Sequence, residues 1–363
     1  MKTILLNPGP VTMTEKVHAA LTAQDVCHRE PEFKALVGRV RAKITAIYGT
    51  TGYTPVLIGG SGTSAVETML AVIPREGTAS LVIANGVYGE RMAAMLKAQG
   101  KKHEVVNAAS WTSPMDLAAA EKAIASGKFQ HVLAVHHETT TGRLNDLAAL
   151  GALCKKHDVP MLVDSVSSFG GEAIDFEGWN IEAAAATANK CLHGAPGVSF
   201  VVVRDSSLTK PTGATSVYLD LMKHAAEQAK GSTPFTLPTH VMFALDAALD
   251  EFAAAGGWKA RHEAYVSRSL RVRNQLKELG VKLLLENEGV YGSTLTSWTL
   301  PVGAGGAPKT TYEALHGRLK SDGFVIYAGQ GKFDGAIFRI AVMGEISSGD
   351  LDRLCASLRS ALG

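Results

Sequence analysis

The stretch Thr187-Ala188-Asn189-Lys190-Cys191-Leu192-His193-Gly194-Ala195-Pro196-Gly197 separates two apolar runs, Ile181 to Ala186 and Val198 to Val203. Runs of that length and composition suit buried strands. A lysine between two core strands is a costly place for a charge. Burial lowers the pKa of the amine and makes it nucleophilic, as a Schiff-base lysine requires. For Lys190 alone, an idle lysine in an exposed loop is the simpler account, so the surrounding chain has to decide.

Working outward, Met161-Leu162-Val163 ends on Asp164, 190 − 164 = 26 residues before Lys190. Further upstream, Val56-Leu57-Ile58 leads into Gly59-Gly60-Ser61-Gly62-Thr63-Ser64. Leu81-Val82-Ile83 leads into Asn85-Gly86-Val87-Tyr88-Gly89, and Val132-Leu133-Ala134-Val135 into His136-His137-Glu138-Thr139-Thr140-Thr141-Gly142. Helical spacing follows the three upstream runs, so the chain predicts an α/β fold with a mostly parallel sheet and crossover helices. Function in such a sheet gathers at the carboxyl ends of the strands. Every polar cluster named here falls at that position.

An aspartate for a pyridinium nitrogen and a lysine for a Schiff base, on consecutive strand ends, are the arrangement pyridoxal phosphate needs. The Ser61 loop lacks the Gly-x-Gly-x-x-Gly spacing and the P-loop lysine, so a cofactor monophosphate suits it better than a dinucleotide or nucleoside triphosphate. A tight turn without a ligand is the competing account. Tyr88 and Val166 could cover the two faces of a ring, or be an ordinary turn aromatic and a core valine. Adjacent strand residues point to opposite faces, so His136 and His137 chelate badly and no metal site is expected. Arg339, inside Ile337-Phe338-Arg339-Ile340, needs an anion. It is either half of a buried salt bridge or a clamp for a substrate carboxylate or phosphonate, and Lys190 with Asp164 favours the clamp.

The 363 residues suit one large and one small domain, placed at 15–255 and 256–363, with 1–14 as an N-terminal segment near the active site. A net charge of +2 without a basic run argues against nucleic acid or an anionic membrane as the main partner. Four cysteines without paired spacing suggest neither disulfides nor zinc. The run before Asn7-Pro8-Gly9-Pro10 is too short for a signal peptide, and no stretch of about 20 apolar residues spans a bilayer, so a cytoplasmic location is expected. In the small domain the pattern predicts strands at Val281–Leu285, Thr294–Leu300, Phe324–Tyr327 and Ile337–Ala341. It also predicts a turn at Gly303–Gly306, a helix over Thr311–Ser321 and a final amphipathic helix. Cys355 falls on the apolar face of that helix, which argues against a lyase using a mobile-loop cysteine.

Several runs together resemble the class V aminotransferases, most closely their phosphonate branch. They are Pro8-Gly9-Pro10, Ser61-Gly62-Thr63, Asn85-Gly86-x-Tyr88-Gly89, Glu138-Thr139-Thr140-Thr141-Gly142, Asp164-x-x-Ser167-Ser168-Phe169-Gly170-Gly171, Ala188-Asn189-Lys190-Cys191 and Phe338-Arg339-Ile340. The match runs nearly the whole chain in order. The resemblance implies a fold type I, aspartate aminotransferase-like enzyme using pyridoxal 5′-phosphate, which would pass the amine of 2-aminoethylphosphonate to pyruvate. Relatives acting on another aminophosphonate, or on alanine or serine with glyoxylate, are the alternative. Lys190 would carry the cofactor covalently and shuttle a proton, Asp164 would hold the pyridine nitrogen, and Thr139 would bond the phenolic oxygen. Tyr88 and Val166 would sandwich the ring, and Ser61, Gly62 and Thr63 would cradle the phosphate. Thr239 would reach that phosphate from the other subunit of a homodimer. Pro8, Gly9 and Arg339 would meet the substrate. The chain departs from the pattern near the expected substrate side, where Phe338-Arg339-Ile340 continues as Ala341-Val342-Met343 rather than the commoner Gly-Asn-Ile type. His193 stands where glutamine is expected, and Ala328 and Gln330 stand where proline and lysine are.

Overall fold

The computed structural model describes residues 2–210, 213–303 and 309–363. Residues 304–306 of the expected glycine-rich turn lie outside them. A seven-stranded sheet runs in the order 53–60, 197–204, 181–187, 161–164, 129–135, 79–84, 102–107. The strand Gly197–Arg204 is antiparallel to both neighbours, and the other pairings are parallel. The edge strand Lys102–Asn107 has no apolar run to announce it; in its KHEVVN sequence exposed and half-buried residues alternate, so it covers one face only.

Side chains alternate across the sheet. Leu57, Leu81, Ile83, Val132, Ala134, Val163, Ala184, Ala186 and Phe200 pack on one face under the helices Pro31–Ala46, Leu147–Lys156 and Thr239–Ala254. Val56, Ile58, Val82, Leu133, Leu162, Ala183, Ala185 and Val201 pack on the other under Gly62–Val72 and Val87–Ala98. The period of two therefore decides that Asp164, one residue past Val163, points toward the second pair of helices.

A second core gathers Ile4, Leu6 and Val11 with Tyr265, Trp298, Phe324, Phe338 and Leu358. Its antiparallel sheet orders Leu295–Thr299, Ile337–Ala341 and Tyr327–Ala328. Ile4–Leu5 pairs in parallel with Phe324–Val325, so the chain's start is stitched to its C-terminal third. The expected strand at Val281–Leu285 shrinks to one bridge between Leu283 and Trp298. Leu285 turns away because its N–H donates to the Tyr291 hydroxyl at 2.8 Å instead of to a neighbouring strand. The expected strand Phe324–Tyr327 splits, its first half pairing with Ile4–Leu5 and its second with Ile337–Ala341.

The two cores meet at Glu172. Its buried carboxylate accepts the Ser293 N–H at 2.6 Å and the Ser293 hydroxyl at 2.7 Å, and pairs with His262 on the helix Gly257–Glu278. No described helix is long and apolar enough to cross a membrane.

Candidate active site

Asp164 ends one parallel strand, and Lys190 follows the next. Burial lowers the Lys190 amine to about 8, and the neighbouring Arg339 and Arg91 charges act in the same direction against Asp164. Its Nζ donates to the carbonyl of Pro8, not to an acid. A Cβ at residue 9 would stand 2.6 Å from the Lys190 Cδ, and the backbone there has φ +110°, so Gly9 alone fits over this lysine. The segment carrying Pro8 and Gly9 thus lies directly on Lys190.

Burial raises the Asp164 carboxyl above its ordinary value, against the Val166 N–H, Lys190 and Arg91. The Val166 N–H donates to it at 3.0 Å. Asp164, Val166, Thr63 and Tyr88 line one narrow cavity together with Arg91, Val66, Met92 and Met95. Ser61 is the N-cap residue of Gly62–Val72, and its side chain makes no capping bond. The first N–H groups of that helix are the ready-made anion donors of a helix start. A Cβ on Gly62 would lie 2.7 Å from Val166 Cγ1, so the phosphate-loop candidate and the ring-face candidate touch.

Thr139 is fully buried, and its hydroxyl has no partner among the described residues. The Thr139 carbonyl accepts from Arg339 Nη1 at 2.7 Å, and the Ala328 carbonyl accepts from Arg339 Nε at 2.8 Å. Arg339 is 0% exposed and stacks 4.8 Å from the Tyr327 ring centroid, and its Nη2 has no hydrogen-bond partner among the described residues. Among the described residues no acid forms an ion pair with it. A buried guanidinium fixed by two carbonyls, with one nitrogen free, is a preorganised anion receptor. Because Ala328 contributes only a carbonyl, the departure from proline leaves that bond intact.

The donor set fits pyridoxal phosphate. An amine, a carboxylate and an unpaired buried hydroxyl come from neighbouring strand ends, beside a helix N-terminus and an aromatic ring. Thr239 is not brought to this cluster. It lines a separate open cavity of roughly 440 Å³ with Val26, Cys27 and His28. A much larger cavity, roughly 740 Å³, lies at the amino ends of the strands, beside Thr78 and Lys101, and holds none of these residues. Size therefore does not locate the site.

His193, expected on the substrate side, is turned into the seam between the cores. Its Nε2 accepts the Gly344 N–H at 2.8 Å and lies 2.6 Å from the Tyr265 hydroxyl. The left-handed backbone at His193, φ 60°, swings the side chain there. Gln330 begins the turn Gly331–Phe333, which packs on Trp111 through Phe333 and Lys332. His136 and His137 part as expected, His136 facing Ser168 and His137 facing Thr294. Sequence reasoning missed two charged neighbours. Arg91 lies 4.8 Å over the Tyr88 ring, one helical turn on, a spacing that could have flagged it. Glu138, fully buried before Thr139, gave no signal beyond its place in the threonine run.

A lysine and an aspartate at adjacent carboxyl ends of this sheet, below an arginine of a C-terminal antiparallel sheet, define a fold type I pyridoxal-phosphate enzyme. The solved structures it resembles agree on the fold. Alanine–glyoxylate aminotransferase from Nostoc sp. superposes with a TM-score of 0.91 at 24% identity, over 100% of this chain and 96% of that one. An aspartate aminotransferase from Thermus thermophilus gives 0.88 at 24%, over 99% of both. The profile described as Aminotransferase class-V matches residues 12–290, and the chain belongs to that family, whose cofactor is pyridoxal 5′-phosphate. Among curated relatives, 2-aminoethylphosphonate–pyruvate transaminase of Salmonella paratyphi C (strain RKS4594) is 34% identical over 99% of this chain and 97% of that protein. Its namesake in Klebsiella pneumoniae is 33% identical over the same shares.

Proposed function

We propose that this chain transfers the amino group of 2-aminoethylphosphonate to pyruvate, giving phosphonoacetaldehyde and alanine. The observation that carries the reading is Arg339, a fully buried cation held by two carbonyls with one nitrogen free for an anion, set beside Lys190 and Asp164. Both the phosphonate of the donor and the carboxylate of the acceptor need such a receptor. Full-length similarity to transaminases of that name supports the choice of donor.

In this reading Lys190 holds the cofactor and Asp164 keeps its ring nitrogen protonated. Thr139 donates its unpaired hydroxyl to the phenolic oxygen, and Tyr88 and Val166 close the ring faces. Ser61, Gly62 and Thr63 take the phosphate, with Thr239 supplied by a second copy of the chain. Bound pyridoxal phosphate supplies an electron-poor ring that accepts the electron pair left when the amine-bearing carbon loses its proton. With an amine near 8, part of Lys190 is free base at neutral pH, so its Nζ can take that proton and return it. Pro8 and Gly9 roof the lysine and limit water, and Arg339 orients the anionic end of each substrate.

The test mixes holoenzyme with single amines and no acceptor, following loss of the yellow absorbance. Bleaching by 2-aminoethylphosphonate and alanine but not serine is expected. Bleaching by serine and not by the phosphonate would overturn the donor. Lys190→Ala is expected to lose the borohydride-reducible label and about a thousandfold or more of the rate. A labelled, fully active variant would overturn the whole assignment.

A further inference from the structure

The helix Val87–Ala98 presents Tyr88 to the site, yet it begins without a cap of its own. Its N-cap residue is Gly86, which has no side chain to offer. The first N–H groups of any helix need acceptors from elsewhere. Here they come from the loop that carries Thr139. Glu138 Oε2 accepts the Tyr88 N–H at 3.2 Å, and Thr140 Oγ1 accepts the Val87 N–H at 3.3 Å. The other carboxylate oxygen, Glu138 Oε1, accepts the Thr140 N–H at 3.1 Å. A Cβ on Gly86 would stand 2.3 Å from Glu138 Cδ, so the glycine makes room for the carboxylate. Glu138 is 0% exposed and has no ion pair among the described residues.

We infer that Glu138 is a positioning residue that caps the Tyr88 helix from across the site and so fixes the ring that covers the cofactor. It touches neither the cofactor nor the substrate in this assignment and acts through Tyr88. The same three-residue loop holds Arg339 by the Thr139 carbonyl, so one carboxylate sets the register between ring cover and anion receptor. An unburied cap would serve the helix equally well. A buried one cannot be swapped for water when it fails, which ties the ring's position to the charge of a single group.

That charge changes near neutrality. Burial is the main cause that brings the Glu138 carboxyl up to about 7, with Asp164 adding to it and the Thr140 and Tyr88 donors opposing. The charged and titratable groups facing it are Asp164 at its strand end, Arg339 from the C-terminal sheet, Tyr88 on the capped helix, and Arg143 opposite it on the paired strand. Arg143 gives a guanidinium N–H to the Thr112 carbonyl and forms no ion pair with Glu138. Above pH 7 the ionised carboxylate accepts with both oxygens; below it one oxygen carries a proton and the cap weakens.

The inference rests on the proposed place of pyridoxal phosphate, so the test separates the two. Pyridoxamine 5′-phosphate, which makes no covalent bond to Lys190, is titrated into the full-length chain by calorimetry at pH 6 and pH 8. For Glu138→Gln, which keeps the shape and loses the charge, about tenfold weaker binding than the parent chain is expected at pH 8, shrinking to within about twofold at pH 6. Thr140→Val removes the second acceptor together with a hydroxyl that bonds the Glu138 carboxylate, and is expected to weaken binding about threefold at pH 8. Binding by Glu138→Gln that equals the parent at pH 8, or is weakened equally at both pH values, would overturn the role. Should Glu138→Gln not fold, unchanged binding by Thr140→Val overturns it. Failure of the parent chain itself to bind either cofactor form would instead overturn the site.

Discussion

At the residue scale, Arg339 and His193 show how far identity alone carries. Arg339 was suspect because a charge inside an apolar strand must have an anion. The structure replaces the salt-bridge option with two carbonyl tethers and a free nitrogen. Arg339→Lys keeps the charge but cannot reach both carbonyls and a ligand at once. The KM for pyruvate is expected to rise roughly 10- to 100-fold in initial-rate assays, the worth of one or two charged hydrogen bonds. An unchanged KM would remove Arg339 from the anion site. His193 teaches the opposite lesson. Its side chain faces Gly344 and Tyr265, so His193→Gln, which restores the expected residue, is expected to leave the ratio of kcat/KM between 2-aminoethylphosphonate and alanine within about twofold. A tenfold change in that ratio would place the residue in substrate choice after all.

At the element scale, the strands are fixed at their amino ends by polar groups that the catalytic edge does not use. Glu182, in the strand Ile181–Thr187, pairs with His131 of Phe129–Val135 at 3.0 Å and accepts the Ser207 hydroxyl at 2.6 Å. Burial alone would raise this carboxyl, but His131, Ser207 and Lys210 outweigh it and hold it down at about 2. A depressed carboxyl stabilises the fold in full above its ordinary value of 4.5, and the contribution is lost as pH falls from there toward 2. Glu182→Gln is therefore expected to cost on the order of 2–3 kcal/mol in urea unfolding at pH 7, with the difference narrowing toward pH 3. Equal midpoints at both pH values would show that the pair contributes nothing. The strand ends opposite, where Asp164 and Lys190 stand, are those at which we propose the cofactor binds.

For the whole molecule, the site is closed by chain segments from both ends. The first residues pair with Phe324–Val325 and lay Pro8 on Lys190, while Glu172 and Ser293 join the two cores behind it. We propose the division at 255/256 as the boundary about which these bodies are organised. Thr239 stands apart from the cluster within one chain, and on that ground we propose a homodimer in which each copy completes the other's phosphate site. Sedimentation of holoenzyme is expected to give twice the 38.2 kDa of the chain, with Thr239→Ala weakening cofactor binding several-fold. A monomer that binds the cofactor at full strength would sink this arrangement.

By itself the sequence determined the apolar strands of the sheet and the groups at their carboxyl ends, though not the edge strand Lys102–Asn107. Apolar runs such as Met161–Val163 and Ile181–Ala186 are strands because nothing else buries them, and polar residues that end such runs must lie at the carboxyl edge. Lys190, Asp164, Thr139 and Ser61 were legible for that reason. Only the tertiary structure decided what lay between distant segments. It turned His193 away from the site, since a left-handed backbone angle leaves no mark in composition. It reduced Val281–Leu285 to a bridge, since a tyrosine hydroxyl took the N–H a strand needed. It also set Glu138 under the start of the Tyr88 helix, a contact between residues 50 positions apart that no local pattern encodes.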